Sequence, residues 1–247
     1  MITRKEFVDT FLKVRKCAGC GEILLPRLVD TAFCDDCRIK WNAALTRSCQ
    51  TCFKSAVECE CMPKSLSRAG ALCLRRVFFY DKENNMCAPM STIFWLKYRK
   101  SRRIVRFVGE YLNKNIEDEI KTLGYPENKE SFAVTFVPRS CRSRMLYGYD
   151  QSGMLAENFA KETGIECVRA LRSLSRRQQK RLDSKGRAEN AKRSIALNKG
   201  ANVSGKYVIL IDDIVTTGAS MAACVRILQK AGAKGILCFA LTTKNKM

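Results

Sequence analysis

Residues 207–220 read Tyr-Val-Ile-Leu-Ile-Asp-Asp-Ile-Val-Thr-Thr-Gly-Ala-Ser, and no other stretch limits the fold so strongly. A β-branched apolar run of this kind suits a parallel strand covered on both faces. It ends at Asp212 and Asp213. The small and hydroxylic residues that follow let main-chain N–H groups curl around an anion. Gly218 can adopt backbone angles closed to other residues, and the next helix directs its positive dipole end at the turn. Two carboxylates beside a phosphate cradle would repel the ligand unless they hold sugar hydroxyls or a hard cation.

Strand, two acids, two apolar residues, Thr-Thr-Gly, a small residue and Ser together resemble the ribose-phosphate motif of the type I phosphoribosyltransferases. The resemblance implies that Asp212 and Asp213 contact the ribose 2′- and 3′-hydroxyls. It also implies that Val215, Thr216, Thr217, Gly218, Ala219 and Ser220 wrap the 5′-phosphate.

At 247 residues the chain has room for one medium domain and a small one. Its formal net charge is +21, and 34 of the 45 basic side chains fall in residues 67–247. Such a field attracts polyanions such as nucleic acid or polyphosphate, although solubility alone would also account for it. There is no histidine. Imidazole bases, Cys–His nucleophiles and histidine-ligated metals are therefore excluded. No apolar run approaches the roughly 18 residues that span a bilayer. The first fifteen residues read as an amphipathic helix with Phe7, Phe11 and Val14 on one face, not as a signal peptide. The expected location is the cytoplasm, where thiols stay reduced.

Fourteen cysteines then need an explanation. Cys17, Cys20, Cys34 and Cys37 form two CxxC knuckles. Cys49, Cys52, Cys59 and Cys61 form a shorter CxxC and CxC set. Each group has the count of a tetrathiolate zinc site. Disulfides do not suit a reducing compartment, and an iron–sulfur cluster would use the same four thiolates; the spacing favours zinc. A segment this small has little core, so the metal would supply folding energy and play a structural part. Cys224 and Cys238 lie in apolar patterns and read as core. Cys141 lies in a polar loop.

Residues 1–66 thus read as an N-terminal helix and zinc-binding module, and 67–247 as a larger α/β domain, with a polar linker over 62–71. Periodicity predicts a strand at Leu72–Tyr80, helices at Met90–Tyr98 and from Ile104 to Leu123, and a strand at Phe132–Pro138. A helix at Gln151–Thr163 stops at Gly164. A strand at Lys206–Asp212, a helix at Ala219–Ala231 and a strand at Ile236–Thr242 complete the set. Strands alternating with helices indicate a parallel sheet flanked by helices. Ligands in such sheets bind at the carboxyl ends of strands, so the ends at Pro138 and Asp212 face one crevice. Basic stretches lie at 97–106, 139–149 and 169–193.

A second resemblance spans roughly residues 17–242. The cysteine knuckles are followed in order by Leu96-Lys-Tyr-Arg99, Val137-Pro138 with a basic loop, and Gly148-Tyr-Asp-Gln151. Then come Gln179, Leu182, Arg187 and Asn190, and finally the Asp-Asp and Thr-Thr-Gly motif. This order is similar to the ComF family of competence-associated proteins. The family often has His and Pro after Val-Pro, where this chain has Ser140 and Cys141. It has Arg-Gly-Phe-Asn where this chain has Tyr147, Gly148, Tyr149 and Asp150.

The resemblance implies a type I phosphoribosyltransferase-like fold that takes 5-phosphoribosyl pyrophosphate (PRPP) or a ribose 5-phosphate-type ligand with Mg2+. Catalytic positions would be Asp212, Asp213 and Arg139, and Arg139, Ser140 and Arg142 would supply anion donors. Thr216 stands where purine-salvage enzymes usually carry an acid, which argues against a purine base as acceptor. The basic stretches read either as a solvated helix face with a lid over the site or as a single-stranded nucleic-acid path, with Lys97, Arg99, Lys100, Arg102 and Arg103 on phosphates and Tyr98, Tyr147 and Tyr149 stacking bases; the resemblance favours single-stranded DNA and implies a DNA-uptake helicase or translocase as a further partner. Three readings follow: a protein that acts with single-stranded DNA in transformation, an enzyme that moves phosphoribosyl groups to a nitrogen acceptor, and a non-catalytic PRPP sensor.

Overall fold

The computed structural model describes residues 15–24, 31–80, 88–99, 101–126, 128–140, 145–146, 148–174 and 194–245. Among these, the first helices are α1 (Asp35–Leu45) and the short α2 (Lys64–Ser67). Strand β1 (Cys73–Tyr80) leads to α3 (Ala88–Tyr98) and the long α4 (Arg102–Thr122). Then come β2 (Phe132–Phe136), α5 (Gln151–Thr163), β3 (Leu171–Ser173) and β4 (Ile195–Leu197). Strand β5 (Tyr207–Val215), α6 (Ala219–Lys230) and β6 (Gly235–Lys244) close the order.

The main sheet runs β1-β6-β5-β2 and every pairing in it is parallel; β3 and β4 form a separate antiparallel pair. Alternate side chains of the central strands face opposite layers, as a sheet covered on both faces requires. Ile209, Ile211, Leu237, Phe239 and Leu241 pack with α3, α4 and α5. Val208, Leu210, Ile236, Cys238 and Ala240 pack with α2 and α6. Cys224 and Cys238 are fully buried, as their apolar settings predict.

Helix ends follow local chemistry. Asp150 caps α5 by accepting from the Gly153 N–H at 3.3 Å, and Gly164 ends it at φ +75°. In α4, Ile104, Val108, Leu112 and Ile116 recur every four residues and form its buried stripe.

The cysteine-rich segment packs on this frame through aromatic rings. Trp41 of α1 is fully buried, 5.4 Å from the Phe78 ring, 5.1 Å from Phe107 and 5.2 Å from Tyr111. Arg103 of α4 donates to the carbonyls of Thr31 (2.7 Å) and Lys16 (2.6 Å) of the same segment.

Two expectations change. The stretch 62–71 is not a loose linker: it contains α2, whose Leu66 is fully buried against the α6 layer, because Pro63 and Leu66 bring apolar surface into a polar run. Strand β5 does not stop at Asp212 but runs to Val215, since β6 continues beside it to Lys244 while β2 ends at Phe136. The amphipathic helix expected over the first fifteen residues lies outside the described residues, apart from Arg15. So do Cys141 and residues 175–193. Among the described residues no helix is long and apolar enough to cross a membrane.

Candidate functional site

The step in the sheet creates the site. Because β2 ends while β5 continues, Asp212 and Asp213 lie just past the last β2 pairing, Phe136 with Ile211, and the chain leaving β2 returns over them. Val137 N–H still bonds the Ile211 carbonyl at 3.0 Å, which carries Arg139 to the acids. The Arg139 guanidinium meets the Asp213 carboxylate at 2.5 Å, and the Arg139 N–H donates to Asp150 Oδ2 at 3.0 Å. Ser152, in the first turn of α5, donates its hydroxyl to Asp212 Oδ1 at 2.9 Å and accepts the Asp213 N–H at 3.2 Å. The ends of β2 and β5 thus lie side by side, and the first turn of α5 bonds to the acids through Ser152.

The two aspartates differ. Burial pushes the Asp212 carboxyl well above the usual carboxylate range, and the neighbouring Asp213 charge adds to that push. Burial acts the same way on Asp213, but Arg139 and then Lys97 outweigh it, so its carboxyl is held below the usual range. The three carboxylates of Asp213, Asp150 and Asp212 together raise Arg139 against the effect of its own burial.

Beyond the acids, Asp212 and Ile214–Met221 line a cavity of about 80 Å³. Gly218 sits at the N-cap of α6 with φ +69°, a left-handed conformation that favours glycine. The first turn of α6 lines this space, and the N–H groups of a helix's first turn have no partner within the helix. Val215, Thr216, Thr217, Gly218, Ala219 and Ser220 all line it, with Asp212 as the acid on its wall. Asp213 is not among the lining residues and is turned to Arg139 instead. Ser140 is half-buried beside Arg139; Arg142 lies outside the described residues.

The two cysteine groups also assemble. In each, the four sulfurs lie within 4.8 Å of one another. Cys20 and Cys34 sulfurs are 3.7 Å apart and Cys52 and Cys59 sulfurs 3.6 Å. Four sulfurs about 2.3 Å from one tetrahedral ion stand at such separations, so the residues fit zinc. Main-chain N–H groups of Gly19 and Cys34 point at Cys17 Sγ, each at 3.3 Å. Burial pushes Cys17 upward, but these donors and the Cys20 N–H bring it down to about 7. Cys49 is likewise brought to about 6 against its burial, by the N–H groups of Cys52 and Thr51.

Behind the second cluster stands Arg76 of β1, fully buried. It donates to Cys59 Sγ at 2.6 Å, to the Leu74 carbonyl at 2.8 Å and to the Cys61 carbonyl. Sequence reasoning assigned nothing to Arg76, to Ser152 or to the Asp150 carboxylate. The Asp-x-x-Gly start of α5 was a readable sign for Asp150 alone.

Of the basic residues expected to hold nucleic acid, Arg99 and Arg102 are exposed and Lys97 is half-buried. Arg103 is the residue bonded to the Thr31 and Lys16 carbonyls, and Lys100 lies outside the described residues. Tyr98 is exposed and packs on Phe94 with ring centroids 4.7 Å apart, while the Tyr149 hydroxyl donates to the Leu96 carbonyl at 2.6 Å. Tyr147 lies outside the described residues.

Residues 155–246 match the phosphoribosyl transferase domain family. Over 240 residues, 92% of this chain and 99% of the relative, the chain is 24% identical to the competence protein ComFC of Streptococcus pneumoniae. Among solved structures it is similar to the phosphoribosylpyrophosphate synthetase of Mycobacterium smegmatis, with 19% identity, a TM-score of 0.36 and 58% of this chain covered; the match spans only 38% of the synthetase. It is also similar to adenine phosphoribosyltransferase from Saccharomyces cerevisiae, at 18% identity and a TM-score of 0.35, covering 58% of this chain and 70% of that one. Two cysteine clusters thus precede a segment that matches the phosphoribosyl transferase domain, and the similarity to the competence protein ComFC runs nearly end to end.

Proposed function

We propose that this chain binds a ribose 5-phosphate-type ligand, PRPP with Mg2+, at the turn between β5 and α6, and that it acts with single-stranded DNA during DNA uptake in the cytoplasm. The observation that carries the reading is the 80 Å³ cavity walled by Asp212 and the 214–221 turn at the α6 N-terminus. The main-chain amides there, with the Thr217 and Ser220 hydroxyls, would take the 5′-phosphate. Asp212 would accept a bond from a ribose hydroxyl. Mg2+ is commonly held by one or two carboxylates together with ligand phosphates. Asp212 suits that part, since Asp213 is engaged by Arg139. When bound, the ion would neutralise pyrophosphate charge. Support for the DNA partner comes from the similarity to ComFC and from the exposed Phe94–Tyr98 pair beside Arg99 and Arg102.

Calorimetric titration of PRPP with Mg2+, and of ribose 5-phosphate alone, tests the ligand. Wild type is expected to bind saturably. Ser220→Asp, whose carboxylate suits a helix N-terminus but opposes an anionic ligand, is expected to lose binding while keeping its thermal stability. No binding by wild type, or equal binding by the variant, overturns the reading.

One observation favours turnover as a second reading: the Arg139 guanidinium lies at the carboxyl end of β2 beside both acids, where a departing pyrophosphate would need positive charge. Pyrophosphate release that depends on an added nitrogen acceptor and on Arg139 supports it. Binding without release in a screen of acceptors leaves the sensor.

A further inference from the structure

The second cysteine cluster and the β5–α6 turn are joined by a very short piece of chain. Arg76 holds the Cys59 sulfur and the Cys61 carbonyl, so the last two ligands of the cluster are fastened to β1. Pro63 and α2 follow directly. Ser65 then donates its hydroxyl to the Thr217 carbonyl at 2.7 Å. A Cβ built on Gly218 would meet Leu66 Cδ1 and Ser65 Oγ at 3.0 Å and Pro63 Cγ at 3.1 Å. The back of the turn is therefore Pro63, Ser65 and Leu66, and its front is the cavity.

This contact fixes a direction as well as a position. The Thr217 carbonyl and the Gly218 N–H belong to one trans peptide and point opposite ways. With the carbonyl held on Ser65, the N–H is aimed away from α2. An unanchored peptide can rotate and remove that donor from an anion. Glycine, with the broadest backbone freedom, makes the turn most in need of such an anchor.

We propose that a metal ion on Cys49, Cys52, Cys59 and Cys61 sets the shape of the β5–α6 turn, with Ser65 as the positioning residue that transmits it. Loss of the ion leaves the 59–61 segment held to β1 by Arg76 alone, which loosens α2 and, through Ser65, the orientation of the Thr217–Gly218 peptide. The functional consequence rests on reading the turn as an anion site; the mechanical link does not.

Hydrogen exchange of the 216–221 amides in the full chain tests the link, with zinc content measured in parallel and ribose 5-phosphate as the binding probe. Ser65→Ala is expected to keep its zinc, to speed exchange in 216–221 about tenfold and to weaken ribose 5-phosphate about fivefold, the scale of one lost hydrogen bond. Ser65→Thr, which keeps the hydroxyl, is expected to behave as wild type. Cys52→Ser is expected to lose one zinc and reproduce the faster exchange while Gln151–Thr163 stays protected. If Cys52→Ser also exposes Gln151–Thr163, the Ser65 pair decides. Unchanged exchange in Ser65→Ala overturns the link. Faster exchange with no ribose 5-phosphate binding by wild type keeps the link and overturns the anion-site reading.

Discussion

The Arg139 guanidinium and the Asp213 carboxylate meet at 2.5 Å across 74 positions of sequence, with 17% and 10% of their side chains exposed. A pair this enclosed leaves a stranded charge when one member is removed. Arg139→Ala should cost about 3 kcal/mol in denaturant unfolding. Combining Arg139→Met with Asp213→Leu should recover most of that loss, because no uncompensated charge remains. A double variant as unstable as the single one would show that the pair is not what the fold depends on here.

Asp212 sets a pH dependence of the opposite sense to Asp213. Its native carboxyl titrates well above the ordinary range, so the native state keeps this proton longer than the unfolded chain does. That contribution favours folding at pH below the ordinary carboxylate range and disappears as pH rises through the native value. Asp213, held low, contributes above the ordinary range and loses its contribution as pH falls through its native value. Asp212→Asn keeps an acceptor for Ser152. It should therefore be more stable than wild type at neutral pH by on the order of 1 kcal/mol, or about 2–4 °C in Tm. The two melting curves should converge toward about pH 4, the ordinary range of a free carboxylate. A Tm offset that stays constant with pH would reject this assignment.

Arg76 should tune the second cysteine cluster alone. Donors behind metal ligands commonly change affinity by about 10–100-fold. Arg76→Met, scored by chelator competition, should weaken one of two zinc ions by that factor. Equal weakening of both ions, or of neither, would remove the special role drawn from the 2.6 Å contact to Cys59.

Basic residues near α3 and α4 should separate by function. Each contact with a single-strand phosphate contributes about 0.7 to the slope of log affinity against log salt. Reversing exposed Arg99 and Arg102 together should lower that slope for single-stranded DNA by about 1.4 and leave the melting temperature close to wild type. Arg103→Glu should act on the melting temperature, because its guanidinium serves the Thr31 and Lys16 carbonyls. An unchanged slope in the Arg99 and Arg102 variant would place any DNA path elsewhere.

Local patterns announced much of the architecture. Gln151–Thr163 matches its predicted bounds because Asp150 and Gly164 supply chemical signals at its two ends. The cysteine groups could be read from spacing, and the central strand from its apolar run. What escaped were contacts between distant positions. Nothing around Ser65 hints at Thr217, and its polar neighbours suggested a linker. Arg76 sits in the run Cys-Leu-Arg-Arg-Val-Phe-Phe-Tyr, which gives no notice of a sulfur behind it. Asp212 and Asp213 look alike in sequence, and only the returning Arg139 makes them unequal. The end of β5 was misjudged because a strand continues as long as a neighbour does, and that neighbour, β6, follows it in the chain.

The aromatic enclosure of Trp41 makes this ring a natural optical gauge. Its indole is sealed by Phe78 of β1 and by Phe107 and Tyr111 of α4. Lifting the cysteine-rich segment off the sheet would wet the indole and shift its emission to the red. A fluorimeter can therefore follow the docking of that segment in real time, without any attached dye.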